Sequence, residues 1–106
     1  MSELVISAED FDSKVKNAQQ PVLVDFFADW CGPCKIVAPV IEQLAKDFAG
    51  KAAVYKINTD NAQALATSLG IRGIPTLIFF KGGQEVNRVV GVTSAENLAA
   101  ELNKLL

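Results

Sequence analysis

The stretch Pro21-Val22-Leu23-Val24-Asp25-Phe26-Phe27-Ala28 runs directly into Asp29-Trp30-Cys31-Gly32-Pro33-Cys34-Lys35. Its first half is apolar on both alternating faces, the pattern of a central strand covered above and below. The proline stands at its start, where a missing N–H is harmless. The second half holds the only two cysteines of the 106 residues, three positions apart. From Cys34 to Phe48 the apolar residues Val37, Val40, Ile41, Leu44, Ala45 and Phe48 recur at spacings of three and four, and Gly50 follows, so an amphipathic helix is expected, with a kink at Pro39. A buried strand that delivers a dithiol to the first turn of a helix implies an α/β fold with its chemistry beyond the strand's carboxyl end.

The flanking sequence extends that unit. Leu4-Val5-Ile6 reads as a short strand, and Ser7 with Asp10 as a capping box before a helix that carries Phe11 and Val15 on one face. Ala52 to Asn58 reads as a strand and Ala62 to Leu69 as a short helix stopped by Gly70. Thr76 to Phe80, the turn Lys81-Gly82-Gly83-Gln84 and Glu85 to Val90 form a predicted β-hairpin. Thr93-Ser94-Ala95-Glu96 is a second capping box, ahead of a helix with Leu98, Leu102 and Leu105 on one side. The predicted order is β-α-β-α-β-α-β-β-α in a single domain, 1–106: a central mixed β-sheet of about five strands flanked by about four helices.

Composition narrows the function. Half the chain is hydrophobic, enough for one core, and the net charge of −2 with dispersed Lys and Arg argues against nucleic acid as a partner. The first ten residues lack the basic and apolar regions of a signal peptide. Val22 to Ala28 is too short for a bilayer and is interrupted by Asp25, so no membrane association is expected. The expectation is a soluble, cytoplasmic chain. Thiols are kept reduced in that compartment, so a close cysteine pair there is catalytic or metal-binding more often than structural.

Three readings of the pair compete. As a structural staple, a four-residue loop stabilises by only about 2 kcal/mol in the loop-entropy model, against nearly 5 for a loop of about 100 residues. A zinc or iron–sulfur site needs about four Cys or His ligands, and the sequence has no histidine and no third cysteine, so only a site shared between subunits would serve. Reversible dithiol chemistry fits best. At the mouth of a helix, unpaired N–H groups and the positive end of the dipole favour the Cys31 thiolate, the attacking species in disulfide exchange. Gly32 allows close backbone approach, Pro33 suits a first helical turn, and the offset of three brings Cys34 back beside Cys31.

Trp30-Cys31-Gly32-Pro33-Cys34-Lys35, preceded by Val24-Asp25-Phe26 and followed by Ala38-Pro39, resembles the active site of the thioredoxin family. Gly73-Ile74-Pro75-Thr76-Leu77 and Val90-Gly91 fall where that family has its cis-proline loop and a late glycine, so the resemblance covers the whole chain. It implies the thioredoxin fold and a general protein-disulfide reductase. In that reading Cys31 is the exposed nucleophile and Cys34 the more buried resolving thiol. Asp25 is a buried acid–base group that takes the proton of Cys34, with Lys56 modulating its charge. Trp30, Gly32, Pro33, Ile74, Pro75, Val90 and Gly91 form an apolar docking surface for target proteins, and Asp60 anchors Trp30. The resemblance also implies a cis Ile74–Pro75 bond and a monomer with no bound cofactor or metal. A separate thioredoxin reductase, a flavoenzyme fed by NADPH or a ferredoxin-linked enzyme, would supply the electrons to reduce disulfide-containing client proteins.

Plainer readings stand beside these. Asp25 could be a carboxylate satisfied by Lys56, Trp30 a packed aromatic, Ile74-Pro75 an ordinary trans start to a strand, Lys35 a surface lysine. The whole chain could be a binding module or chaperone subunit whose cysteines are dispensable. Three positions depart from the family's pattern: Phe27 stands where many members carry tryptophan, Asn61-Ala62 lacks a common proline, and Leu69 replaces a frequent aromatic.

Overall fold

The computed structural model describes residues 2–106. Four strands, β1 (Val22–Phe27), β2 (Ala53–Asn58), β3 (Thr76–Lys81) and β4 (Gln84–Val90), form one sheet in the order β2-β1-β3-β4. The helices are α1 (Gly32–Asp47), α2 (Gln63–Ser68) and α3 (Ala95–Leu105). β1 is parallel to β2, to which α1 connects it, and antiparallel to β3, which pairs antiparallel with β4. The mixed sheet is as expected, and both its central strands are buried along nearly their whole length.

The amino-terminal segment corrects the strand count from five to four. Val5 makes a single parallel bridge with Lys56, through Ile6 N–H to Lys56 O (2.8 Å) and Lys56 N–H to Leu4 O (2.9 Å). A three-residue apolar run hemmed in by Glu3 and Ser7 has room for no more of a ladder. The expected first α-helix is instead a 3-10 turn, Ala8–Asp10, followed by a π turn, Asp12–Lys16. The Ser7–Asp10 capping box forms in both directions. Isolated helices this short are marginal, so packing sets the geometry: Phe11 and Val15 are both buried, Phe11 edge-on to Phe80 with ring centroids 5.4 Å apart. At α3 the cap is Ser94 and not Thr93: the Ser94 hydroxyl accepts the Asn97 N–H, while Asn97 Nδ2 donates to the Thr93 hydroxyl.

Strand alternation divides the core into two layers. Leu23, Leu77 and Phe79 pack against Val37, Ile41 and Leu44 of α1 and Leu98 and Leu102 of α3. Val22, Val24, Phe26, Ile78 and Phe80 face Phe11, Val15 and, on α2, Leu65. By the same alternation Asp25 lies on the α1 and α3 side, with no solvent exposure. α1 continues through Pro39 on its exposed side, where the proline's missing N–H frees a carbonyl at the surface.

The hairpin turn needs both its glycines, with φ of +61° at Gly82 and +80° at Gly83. A Cβ on Gly83 would also stand 2.6 Å from the Lys16 carbonyl oxygen. Gly83→Ala is therefore expected to destabilise the chain by about 2 kcal/mol, from left-handed strain and a backbone clash together. Urea unfolding of the two proteins measures it.

Candidate active site

β1 ends at Phe27, and the chain enters α1 through Cys31, which caps the helix in an extended conformation (φ −89°, ψ 112°). Its sulfur accepts the Cys34 N–H at 3.2 Å, one of the helix donors that otherwise lacks a partner. Gly32 and Pro33 form the first turn, both exposed, where a fixed proline φ costs nothing. Cys31 and Cys34 are joined by a disulfide with their Cα atoms 5.3 Å apart.

The contrast expected between an exposed Cys31 and a buried Cys34 is absent in this disulfide form: each residue is 5 % exposed. Cys31 is covered by the loop before β3, with its sulfur 3.7 Å from the Ile74 carbonyl oxygen. Ala28, Cys31 and Cys34 make a small cluster of their own, flanked by Phe27 and Ile74. What separates the two sulfurs is the helix terminus, which acts on Cys31.

The Ile74–Pro75 bond is cis. The Pro75 carbonyl accepts the Gly91 N–H at 2.8 Å, and Gly73 approaches Val90, so two loops far apart in sequence meet beside the disulfide. Pro75 is buried, Ile74 and Gly91 are half-buried and Val90 is exposed. Trp30, 71 % exposed, donates from Nε1 to Asp60 at 3.0 Å, as expected. Asn58 steadies that anchor: its Oδ1 accepts the Asp60 N–H at 2.9 Å and its Nδ2 reaches Asp29 at 3.4 Å. Trp30, Thr59, Ala66, Ile71, Arg72, Gly73 and Ile74 enclose a shallow hollow of about 200 Å³.

Behind the cysteines, Asp25 and Lys56 are direct partners across β1 and β2. Among the described residues neither carboxylate oxygen of Asp25 has a hydrogen-bond partner, and Lys56 enters no ion pair. The plain reading of a carboxylate satisfied by Lys56 is thus not what the structure holds. Burial pushes the Asp25 carboxyl up to about 7 from 3.8, and the Lys56 charge pulls back only in part. The Lys56 ammonium sits 4.7 Å from the centre of the Phe27 ring, a contact worth about 0.5–2 kcal/mol. A hollow of about 140 Å³ lined by Phe27, Ala28, Asp29, Cys34, Lys35, Ala38 and Lys56 adjoins them. Among the described residues no group of three or more Cys, His, Asp or Glu is placed to hold a metal ion, and no helix is long and apolar enough to cross a membrane.

The family model described as Thioredoxin matches residues 2–104. The chain belongs to the thioredoxin family. It is 49% identical over 106 residues to the thioredoxin of Staphylococcus aureus (strain N315), covering all of both chains. It is 48% identical over 101 residues to the thioredoxin of Synechocystis sp., covering 95% of this chain and 94% of that one. Against the chloroplastic thioredoxin M-type of Spinacia oleracea it is 44% identical over 110 residues, covering 99% of this chain. The chain spans 52–61% of the length of the chloroplastic thioredoxins it matches.

Of the residues singled out in the sequence, Cys31, Cys34, Trp30, Gly32, Pro33, Ile74, Pro75, Val90 and Gly91 lie around the start of α1 and the loops facing it, with Asp25 and Lys56 behind them. Sequence reasoning missed Asn58 as the support of Asp60, and it read Phe27 only as a departure from the thioredoxin pattern. The spacing of Asp25 and Phe27 on one strand face was the available signal.

Proposed function

We propose that this chain is a general protein-disulfide reductase working through Cys31 and Cys34. The observation that carries the reading is the Cys31 sulfur at the cap of α1, bonded to Cys34 and receiving the Cys34 N–H. In the dithiol form the Cys31 thiolate attacks one sulfur of a target disulfide; that S–S bond breaks and the departing target sulfur takes up a proton. Asp25 removes the Cys34 proton, with Lys56 modulating its charge, and the Cys34 thiolate attacks the Cys31 sulfur of the mixed disulfide. The target leaves with two thiols and this chain with one disulfide, two electrons having passed to the target.

Trp30, Gly32, Pro33, Ile74, Pro75, Val90 and Gly91 form the docking surface for client proteins. Among the described residues no backbone hydrogen bond uses the Ile74 N–H, which supports its pairing with an extended segment of the target. The protein works as a cytoplasmic monomer without a bound cofactor, and a thioredoxin reductase returns it to the dithiol. Reduced chain mixed with a protein disulfide tests the reading: one Cys31–Cys34 bond is expected to form for each target disulfide lost. Target disulfides that persist while the chain stays a dithiol would leave only the binding-module reading.

A further inference from the structure

We propose that Phe27 is a positioning residue of this site: its ring seats the Lys56 ammonium away from Asp25 and so keeps that carboxyl free to exchange a proton. The inference deepens the reading above and rests on its assignment of Asp25 as the group that deprotonates Cys34. Asp25 and Phe27 lie two residues apart on one strand and therefore on one face of the sheet. Lys56 is the residue directly opposite Asp25 on β2. A lysine at that register has a natural partner in the carboxylate, yet its nitrogen stands over the Phe27 ring at 4.7 Å and both carboxylate oxygens are left unpaired.

The choice between ring and carboxylate is a local one. Lys56 is 8 % exposed as a residue and lines the hollow beside Cys34, so its ammonium can lie against the ring, against the carboxylate or toward that hollow. Facing the carboxyl, β2 supplies Lys56, β3 supplies the apolar Leu77, and the α3 residues in this layer, Leu98 and Leu102, are apolar. Lys35 of α1 and Asp29 of the loop before it line the hollow next to Phe27 and Lys56, and of all these only the Lys56 charge moves the Asp25 carboxyl appreciably. A carboxylate closed into an ion pair would stay ionised and accept no proton in the neutral range. One held apart from its lysine titrates where thiol exchange needs it, and the elevated carboxyl of Asp25 agrees.

The Asp25 side-chain carboxyl carbon, followed by NMR against pH in the oxidised full chain, tests this. Phe27→Leu is expected to release Lys56 onto Asp25 and lower the midpoint by about one pH unit. Phe27→Met removes the ring with an unbranched side chain of similar bulk and should do the same, so the test does not depend on how leucine packs. Phe27→Tyr keeps the ring and should keep the wild-type midpoint. In a Lys56→Met background the leucine change should leave the midpoint where it is, since the ring acts through the lysine. An unchanged or raised midpoint in both ring-less variants overturns the proposal, as does the same downward shift with Lys56 absent. In activity, the pH profile for release of the mixed disulfide should move down with the midpoint. Were Asp25→Asn to resolve the mixed disulfide as fast as wild type, the reading of Asp25 would fall, while the titration would still report whether the ring seats the lysine.

Discussion

Cys31→Ser is expected to bring protein-disulfide reduction down to the uncatalysed rate, and Cys34→Ser to halt it midway with the target covalently attached. The two residues are equally buried in the disulfide, so the asymmetry has to come from what surrounds each sulfur. Cys31 caps α1 and receives a main-chain N–H, which favours the negative sulfur. Cys34 lies one turn inside, in the hollow shared with Lys56 and Phe27. A serine hydroxyl in place of Cys31 offers neither an ionised nucleophile near neutral pH nor a sulfur with which to form the mixed disulfide. With Cys34 replaced, the first attack proceeds but nothing displaces the target. Non-reducing electrophoresis of each variant with a protein disulfide distinguishes the cases: a higher-mass adduct for Cys34→Ser, none for Cys31→Ser. An adduct on Cys34 in the Cys31 variant, formed as fast as the other, would reverse the assignment.

Opening of the dithiol also bears on that experiment. The disulfide form tucks Cys31 under Ile74, with its sulfur 3.7 Å from a carbonyl oxygen contributed by a residue 43 positions away. No reading of local periodicity reaches across such a separation, and the exposure expected of Cys31 came from the family resemblance, which does not specify this disulfide form. Features written within one element were legible. β1 shows itself by apolar residues on both faces, α1 by spacings of three and four, the hairpin by its paired glycines, and the cysteines announce their chemistry by being the only two. The amino-terminal segment differs for the opposite reason: three apolar residues are too few to show a period, and a run that short makes one bridge to the open edge of β2 where a strand is expected.

The seat of Lys56 belongs to the same class as the cover over Cys31. Sequence places Asp25, Phe27 and Lys56 in one neighbourhood once the strands are aligned in parallel, and the natural inference from their charges is an ion pair. The ring's competition for the ammonium appears only when the side chains are in place. Polar groups on buried strands can thus be located from pattern, while their partners are decided by packing, where a contact of about 0.5–2 kcal/mol is enough to choose between two positions.

Asp25 carries the second large prediction: stability should fall as pH rises from about 4 to about 7, and Asp25→Asn should remove that fall. The sign follows from proton counts. Between 3.8, the ordinary value, and about 7, the folded chain holds a proton that the unfolded chain has released, so each step up in pH favours unfolding. Over that window the difference amounts to about 4 kcal/mol, a large share of the roughly 5–15 kcal/mol that holds a domain together. Above about 7 both states are ionised and the slope ends. The carboxyls of Glu85 and Glu101, held below their ordinary 4.5 chiefly by hydrogen bonds from Arg88 and Lys104, act in the opposite sense, adding stability above that value and losing it at lower pH. Their contributions are complete by about pH 5, which leaves the interval from there to 7 to Asp25. Urea unfolding of both oxidised proteins, with midpoints taken across that interval, isolates the effect, because the fixed cost of burying an unpaired asparagine amide is the same at every pH and cancels from the slope. Parallel curves for wild type and Asp25→Asn would mean that the buried carboxyl is already ionised in the folded chain at pH 5, and the proton it is proposed to take from Cys34 would have to go elsewhere.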